Sequence, residues 1–207
     1  MLKKSLQENI NLKKKLFKFE KTINDIIKKI TFTLKNKGKI LICGNGGSAA
    51  DAQHLAAEFL VRLKPKPKRP PYPVVSLALD TSTITACSND LGFNNLFSRN
   101  LEALGKKEDL LIVISTSGNS KNILKVIKKA KKMNIQSVAL LGSNGGKAKK
   151  LCDKEIIIPS KNTARIQECH IFLGHYIFEQ GSLPRYEADQ SAHKGHTTLR
   201  SRKPRRC

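Results

Sequence analysis

The sequence predicts an α/β protein: a doubly wound parallel sheet of about five strands, flanked by helices and preceded by one long amphipathic helix. Five short apolar runs recur along the chain, each of strand length. The stretches between the later runs change to helical spacing, and alternating buried strands and helices are the pattern of a parallel sheet. At 207 residues and 39% apolar content, the chain suffices for one sizeable core.

In chain order, residues 4–36 place Leu16, Phe19, Ile23, Ile26, Ile27 and Ile30 at spacings of one, three and four with lysines between, which predicts one long helix. Lys39 to Cys43 is the first strand, ending in Gly44-Asn45-Gly46-Gly47; Ser48 then opens an alanine-rich helix. Lys64 to Pro73 is rich in proline and reads as an extended connector. Strands follow at Val74 to Leu79, Leu110 to Ile114, Ser137 to Leu141 and Glu155 to Ile158, with a helix over Asn122 to Met133 and a last helix from Thr163. Residues 1–180 are thus expected as a single domain, with the N-terminal helix at 1–36 and the α/β core at 37–180. Residues 181–207 are polar, basic and aperiodic; they are expected to be disordered and look foreign to the fold.

Composition removes several function classes. No apolar run approaches a membrane span, and the basic N-terminus lacks a secretory apolar core, so the expected place is the cytoplasm. Cys43, Cys87, Cys152, Cys169 and Cys207 show neither metal spacing nor a C-x-x-C pair and are expected as reduced thiols. A net charge of +23 raises nucleic acid as a partner, but the lysines are spread along helix faces, and the same field would attract a phosphorylated substrate.

Four motifs carry chemistry. The glycine turn before Ser48 lets the backbone approach a ligand at a helix N-terminus, although it matches neither the G-x-G-x-x-G fingerprint nor a P-loop. Ser115-Thr116-Ser117-Gly118-Asn119-Ser120 follows a strand directly and opens a helix; its four hydroxyl residues exceed what capping requires and suit a phosphate monoester. His54 and Glu58 share a helix face at i,i+4, as metal ligands, as a general base with a neighbour, or as an ordinary surface pair. The last helix offers Gln167, Glu168, His170 and His175 beside the apolar stripe Ile166, Cys169 and Leu173, and spacing does not choose between the two histidines.

Together these motifs resemble the sugar isomerase (SIS) fold and, within it, the phosphoheptose isomerase family, over about Leu12 to Gln180. The resemblance rests on Cys43-Gly-Asn-Gly-Gly-Ser48 with His54 and Glu58, Asn89-Asp90, the loop Ser115 to Ser120, and Ala164-Arg-Ile-Gln-Glu-x-His170 continuing to His175. It implies interconversion of sedoheptulose 7-phosphate and D-glycero-D-manno-heptose 7-phosphate, early in the synthesis of bacterial surface-polysaccharide heptose. It further implies substrate contacts from Asn45, Gly46, Gly47, Glu58, Asn89, Asp90, Ser115, Thr116, Ser117, Ser120 and Gln167, with Glu58 and His175 as the acid/base pair. A zinc ion held by His54, Glu58, Gln167 and His175 is implied as well, as is a homotetramer with its active sites between subunits. One expectation is awkward: on a continuous helix Gln167 and His175 stand ~12 Å apart along the axis and ~80° around it. Either the helix starts late, two subunits contribute, or one of the two is not a ligand.

Two rival readings follow from the same residues. Non-catalytic SIS relatives serve as assembly factors, one of them on a replication initiator, but lack equivalents of Glu58 and His175, both present here. A sugar-phosphate sensor joined to a DNA-binding module would require a helix-turn-helix segment, and none is legible.

Overall fold

A computed structural model of the chain describes residues 1–65, 69–78 and 80–195, those after Gly181 by backbone alone. Five parallel strands, β1 (Ile40–Gly44), β2 (Val74–Ser76), β3 (Leu110–Ser115), β4 (Gln136–Gly142) and β5 (Lys154–Ile158), lie in the order β2-β1-β3-β4-β5. Each expected strand is present; β2 is shorter than its apolar run, pairing with β1 through Ser76 only.

Alternation along the strands sorts the side chains into two cores, as the period of two requires. Ile40, Ile42, Leu110, Ile112, Ile114, Val138, Leu140, Ile156 and Ile158 face one side. There they meet α2 (Glu20–Lys35), α3 (Gly47–Leu60) and α7 (Thr163–Gly195). Leu41, Cys43, Leu111, Val113, Ala139 and Leu141 face the other, against α4 (Thr81–Asp90), α5 (Leu96–Leu104) and α6 (Lys121–Lys132). Strands buried on both faces explain why the runs read as continuous rather than alternating hydrophobicity.

The expected long N-terminal helix is present over Leu2–Lys35, with one 3₁₀ turn inside it. α1 (Leu2–Lys14) and α2 are joined by a 3₁₀ turn at Lys15–Phe19, which tightens the winding without any proline or glycine to mark it. Burial still follows the apolar spacing: Leu12, Leu16, Ile23, Ile26, Ile30 and Leu34 all turn inward. α1 is tied to α7 by Arg165, whose guanidinium donates to the Ser5 hydroxyl (2.7 Å) and carbonyl (3.0 Å), and by Asn9 donating to Glu168.

α7 departs from expectation. Its backbone continues past Gln180 to Gly195, so the helix includes residues expected to be disordered. Gly181 lies against α2, where an added Cβ would come 3.0 Å from Ile30 Cγ2. The remainder of the expected tail, 196–207, lies outside the described residues, as do 66–68 of the proline-rich connector.

β1 and β3 are neighbours, but β1 leads into α3 on one face of the sheet and β3 into α6 on the other. A crevice opens outside the carboxyl ends of two strands whose connections part this way, and ligands bind there in open α/β sheets. Both loops singled out in the sequence lie at this edge.

Candidate active site

The loop after β3 is held mostly by its own backbone. Ser115 is buried and its hydroxyl accepts from the Gly118 N–H (3.1 Å); the Ser117 hydroxyl accepts from the Asn119 N–H (3.2 Å). Ser120 is the N-cap of α6, yet its side chain makes no capping bond; the Ile123 N–H is taken by the Asn122 side chain (2.9 Å), which leaves the Ser120 hydroxyl and the N–H groups of Lys121 and Asn122 for a ligand. The capping interpretation of these serines therefore fails at the position where it should hold.

A second loop, not read from the sequence as functional, presses against the first. The Gly118 carbonyl accepts from Ala148 N–H (2.9 Å), and the Asn119 side-chain carbonyl from Lys147 N–H (3.0 Å). Gly118 has φ +64°, and a Cβ there would sit 1.9 Å from the Gly145 carbonyl oxygen, so only glycine fits. The signal was available: Gly145-Gly146 follows β4 as Gly46-Gly47 follows β1.

Across the crevice, the glycine turn opens α3 with no side-chain cap. Gln167 of α7 packs directly on it, and a Cβ at Gly47 would lie 2.3 Å from Gln167 Nε2. α3 and α7 continue side by side, Gly47 beside Gln167, Leu55 beside Gly174, and Phe59 beside Phe178 with ring centroids 4.4 Å apart. Two turns along, this parallel pairing brings His54 and His175 together, Nε2 to Nε2 at 2.9 Å with rings edge-on at 76°. His54 Nε2 also stands 3.5 Å from Glu58 Oε1.

Thus His54 joins Glu58 to His175, residues of two different helices. Burial lowers the pKa of His175; His54 lowers it further and Glu58 opposes the shift. His175 is therefore a neutral imidazole at neutral pH, able to accept or pass a proton. His170, by contrast, is fully buried and bonds through Nε2 to the Leu141 carbonyl at 3.0 Å, its pKa lowered to about 4 by desolvation. It is a packing histidine, and the choice that spacing left open falls to His175.

Two further residues shape this cluster. Asp51 is one turn before His54; burial raises its carboxyl to about 6, and its Oδ2 has no hydrogen-bond partner among the described residues. Arg69, at the end of the proline-rich connector, donates to the Glu58 carbonyl (2.6 Å) and the Phe59 carbonyl (2.9 Å). Its guanidinium lies 5.3 Å from the Phe59 ring centroid and 4.9 Å from that of Tyr72. Arg69 thereby caps the last turn of α3, which has no basic residue of its own. The connector is an anchor for the helix that carries Glu58, and a lone arginine among prolines gave no periodic signal of it.

Not every expected site residue joins these groups. Gln167 stands two turns before His175, against Gly47, so within one chain it does not meet the other three expected ligands. Asn89 and Asp90 are exposed, bonded to each other (2.8 Å), at the end of a helix that packs on α5. Two imidazoles and a carboxylate are chemically a catalytic-zinc donor set. Yet the described residues contain no group of three His, Cys, Asp or Glu side chains arranged to hold a metal, because Glu58 and His175 meet only through His54.

Comparison with known proteins shows the family to which the fold belongs. A family model described as SIS domain matches residues 8–142, which takes in His54, Glu58 and the Ser115 to Ser120 loop. The phosphoheptose isomerase of Helicobacter pylori (strain P12) is 50% identical over 166 residues, 80% of this chain and 85% of that one. That of Campylobacter concisus (strain 13826) is 55% identical over 145 residues, 70% of this chain and 76% of the other. Among solved structures, phosphoheptose isomerase from Francisella tularensis superposes with a TM-score of 0.83 at 34% identity, covering 88% of this chain and 96% of its own. The Neisseria gonorrhoeae enzyme gives 0.79 at 39% identity, covering 87% and 96%. With a matching domain model, half-identical relatives and the same fold throughout, this chain belongs to the SIS-domain family and, within it, to the phosphoheptose isomerases.

Proposed function

We propose that this chain interconverts sedoheptulose 7-phosphate and D-glycero-D-manno-heptose 7-phosphate. The meeting of Glu58 and His175 through His54, two turns along α3 from the glycine turn that faces the hydroxyl-rich loop, is the observation that carries the reading. From the ketose, the Glu58 carboxylate takes a proton from C1 and an enediolate forms; a proton returned to C2 gives the aldose. Between these events His175, neutral and within reach of the same region, moves the hydroxyl proton from O1 to O2. Neither step changes the atom count or the redox state of the molecule as a whole. The loop Ser115, Thr116, Ser117 and Ser120 binds the phosphate away from the reacting carbons, with Asn45, Gly46, Gly47, Asn89, Asp90 and Gln167 as further substrate contacts. A non-catalytic assembly role has no use for such a pair, and no observation favours it.

Zinc belongs to the proposal. His54, Glu58, Gln167 and His175 would hold it, and when bound it would supply Lewis-acid stabilisation of negative charge on the enediolate oxygen. Gln167 stands apart from the other three within one chain, so its place as a ligand depends on the homotetramer with active sites between subunits that also belongs to the proposal. The face formed by Ile10, Phe17, Phe172 and Tyr176 supports that assembly: Phe17 is 78% exposed beside an apolar groove of about 480 Å³. No described helix is long and apolar enough to cross a membrane, and a cytoplasmic role in surface-polysaccharide heptose synthesis, for lipopolysaccharide or capsule, completes the reading.

Turnover of sedoheptulose 7-phosphate by the purified protein, with and without added zinc and beside Glu58→Gln, tests it. Product from wild type and none from the variant is expected; a folded, assembled wild type inert at every zinc concentration would defeat the assignment.

A further inference from the structure

We infer that Asn122 is a positioning residue that fixes which way round the Asn45 side-chain amide faces the substrate, by pairing with it across the crevice between β1 and β3. The inference rests on the reading of Asn45 as a substrate contact.

The pair is reciprocal. Asn45 Nδ2 donates to Asn122 Oδ1 at 2.9 Å, and Asn122 Nδ2 donates back to Asn45 Oδ1 at 2.8 Å. Asn45 belongs to the glycine turn after β1 and Asn122 to the first turn of α6, directly after the Ser/Thr loop. The bond therefore ties together two loops whose following helices lie on opposite faces of the sheet. Asn122 is 2% exposed, so this amide is not a surface group that found a neighbour by chance.

A third bond gives the pair its direction. The backbone N–H of Ile123 donates to Asn122 Oδ1 at 2.9 Å. An N–H has only an oxygen to choose in that amide, so it sets Asn122 one way round. Asn122, with its oxygen and nitrogen thus assigned, sets Asn45 in turn. A primary amide has two donor hydrogens and two acceptor lone pairs. The reciprocal pair uses one of each on Asn45, leaving one N–H and one lone pair, both turned away from Asn122 and held in fixed positions. An orphan donor at a helix N-terminus is thereby converted into a defined hydrogen-bonding edge on the opposite loop. Without Asn122, the Asn45 amide could turn over and present donor where acceptor is needed.

The test uses two variants of the full chain, Asn122→Ala and Asn122→Asp. The aspartate keeps the size and the acceptor for Ile123 and Asn45 Nδ2, but loses the donor and sets oxygen against Asn45 Oδ1. Side-chain amide NMR, which tells nitrogen from oxygen where electron density does not, should find the Asn45 NH₂ signals moved from their wild-type positions in both. With sedoheptulose 7-phosphate, KM should rise about 3- to 10-fold, the worth of one ordinary hydrogen bond. In the same assays kcat should stay within about twofold, the signature of lost binding rather than lost chemistry. Unmoved Asn45 signals, or an unchanged KM in folded variants, would overturn the inference. Should wild type itself fail to turn over the sugar, the isomerase reading falls, while the orientation of Asn45 still decides the pairing.

Discussion

The two halves of the candidate site are built in opposite ways. The Ser/Thr loop, Ser115 to Ser120, is six consecutive residues whose internal bonds are mostly backbone to side chain within three positions. The cluster of Glu58, His54 and His175 unites residues 121 positions apart, and it exists only because α3 and α7 run parallel in contact. A local loop carries its function wherever its strand and helix form. A cluster between helices is only as accurate as the packing beneath it. The first half therefore tolerates distant change and is intolerant of change to its own backbone, and the second half reverses both.

Mutations can break that contrast. The largest effect is expected from Glu58→Gln, which should lower kcat by roughly 10²- to 10⁴-fold while substrate binding, measured by calorimetry, persists. Loss of binding as well would mean that the two halves are not separable.

Next comes His170, which supports the packing under α7. Its folded-state pKa is lowered to about 4 from 6.5, so the unfolded chain binds the extra proton first. Stability should be constant above pH 6.5 and fall as the pH drops from there toward 4, by on the order of 3 kcal/mol. Replacing His170 with Gln should flatten that slope in denaturant titrations; an equally steep slope in the variant would remove His170 as its source.

Gly118→Ala strains a positive φ and drives a methyl into the Gly145 carbonyl, at a cost of about 1–3 kcal/mol. Because the strain is confined to the loop, KM should rise more than kcat falls. Proportionate losses in both would tie the loop to the cluster.

The smallest effect is expected from Arg69→Lys. A lysine cannot reach both the Glu58 and Phe59 carbonyls while stacking between two rings, so α3 should lose about 1–2 kcal/mol at its end. The expected readout is a drop in kcat with little change in KM, the reverse of Gly118→Ala; a change in KM alone would place Arg69 with the binding loop.

How much was legible in the sequence follows the same division. The Ser/Thr loop, the glycine turn and all five strands could be read because each is a run of neighbours with its own period or turn chemistry. The 3₁₀ break at Lys15–Phe19 could not, since the apolar spacing passes through it unchanged. Nor could the helical backbone beyond Gln180, where the sequence is polar, basic and aperiodic and no apolar stripe continues. Arg69 and Asn122 stood in the sequence as a basic residue among prolines and a helical asparagine, and neither has a pattern that announces its partner.

By itself, then, the amino-acid order determined the fold class, the glycine turn and Ser/Thr loop at one edge of the sheet, and the hydroxyl-rich character of that loop. Those depend on interactions between residues close in sequence. Only the tertiary structure decided that His175 and not His170 faces His54, that Gln167 serves the turn at Gly47, and that Asn122 and Arg69 hold the site residues in place. Each of these is a contact between distant segments, selected by the packing of α3, α6 and α7 on opposite faces of one sheet, which no periodicity along a single segment encodes.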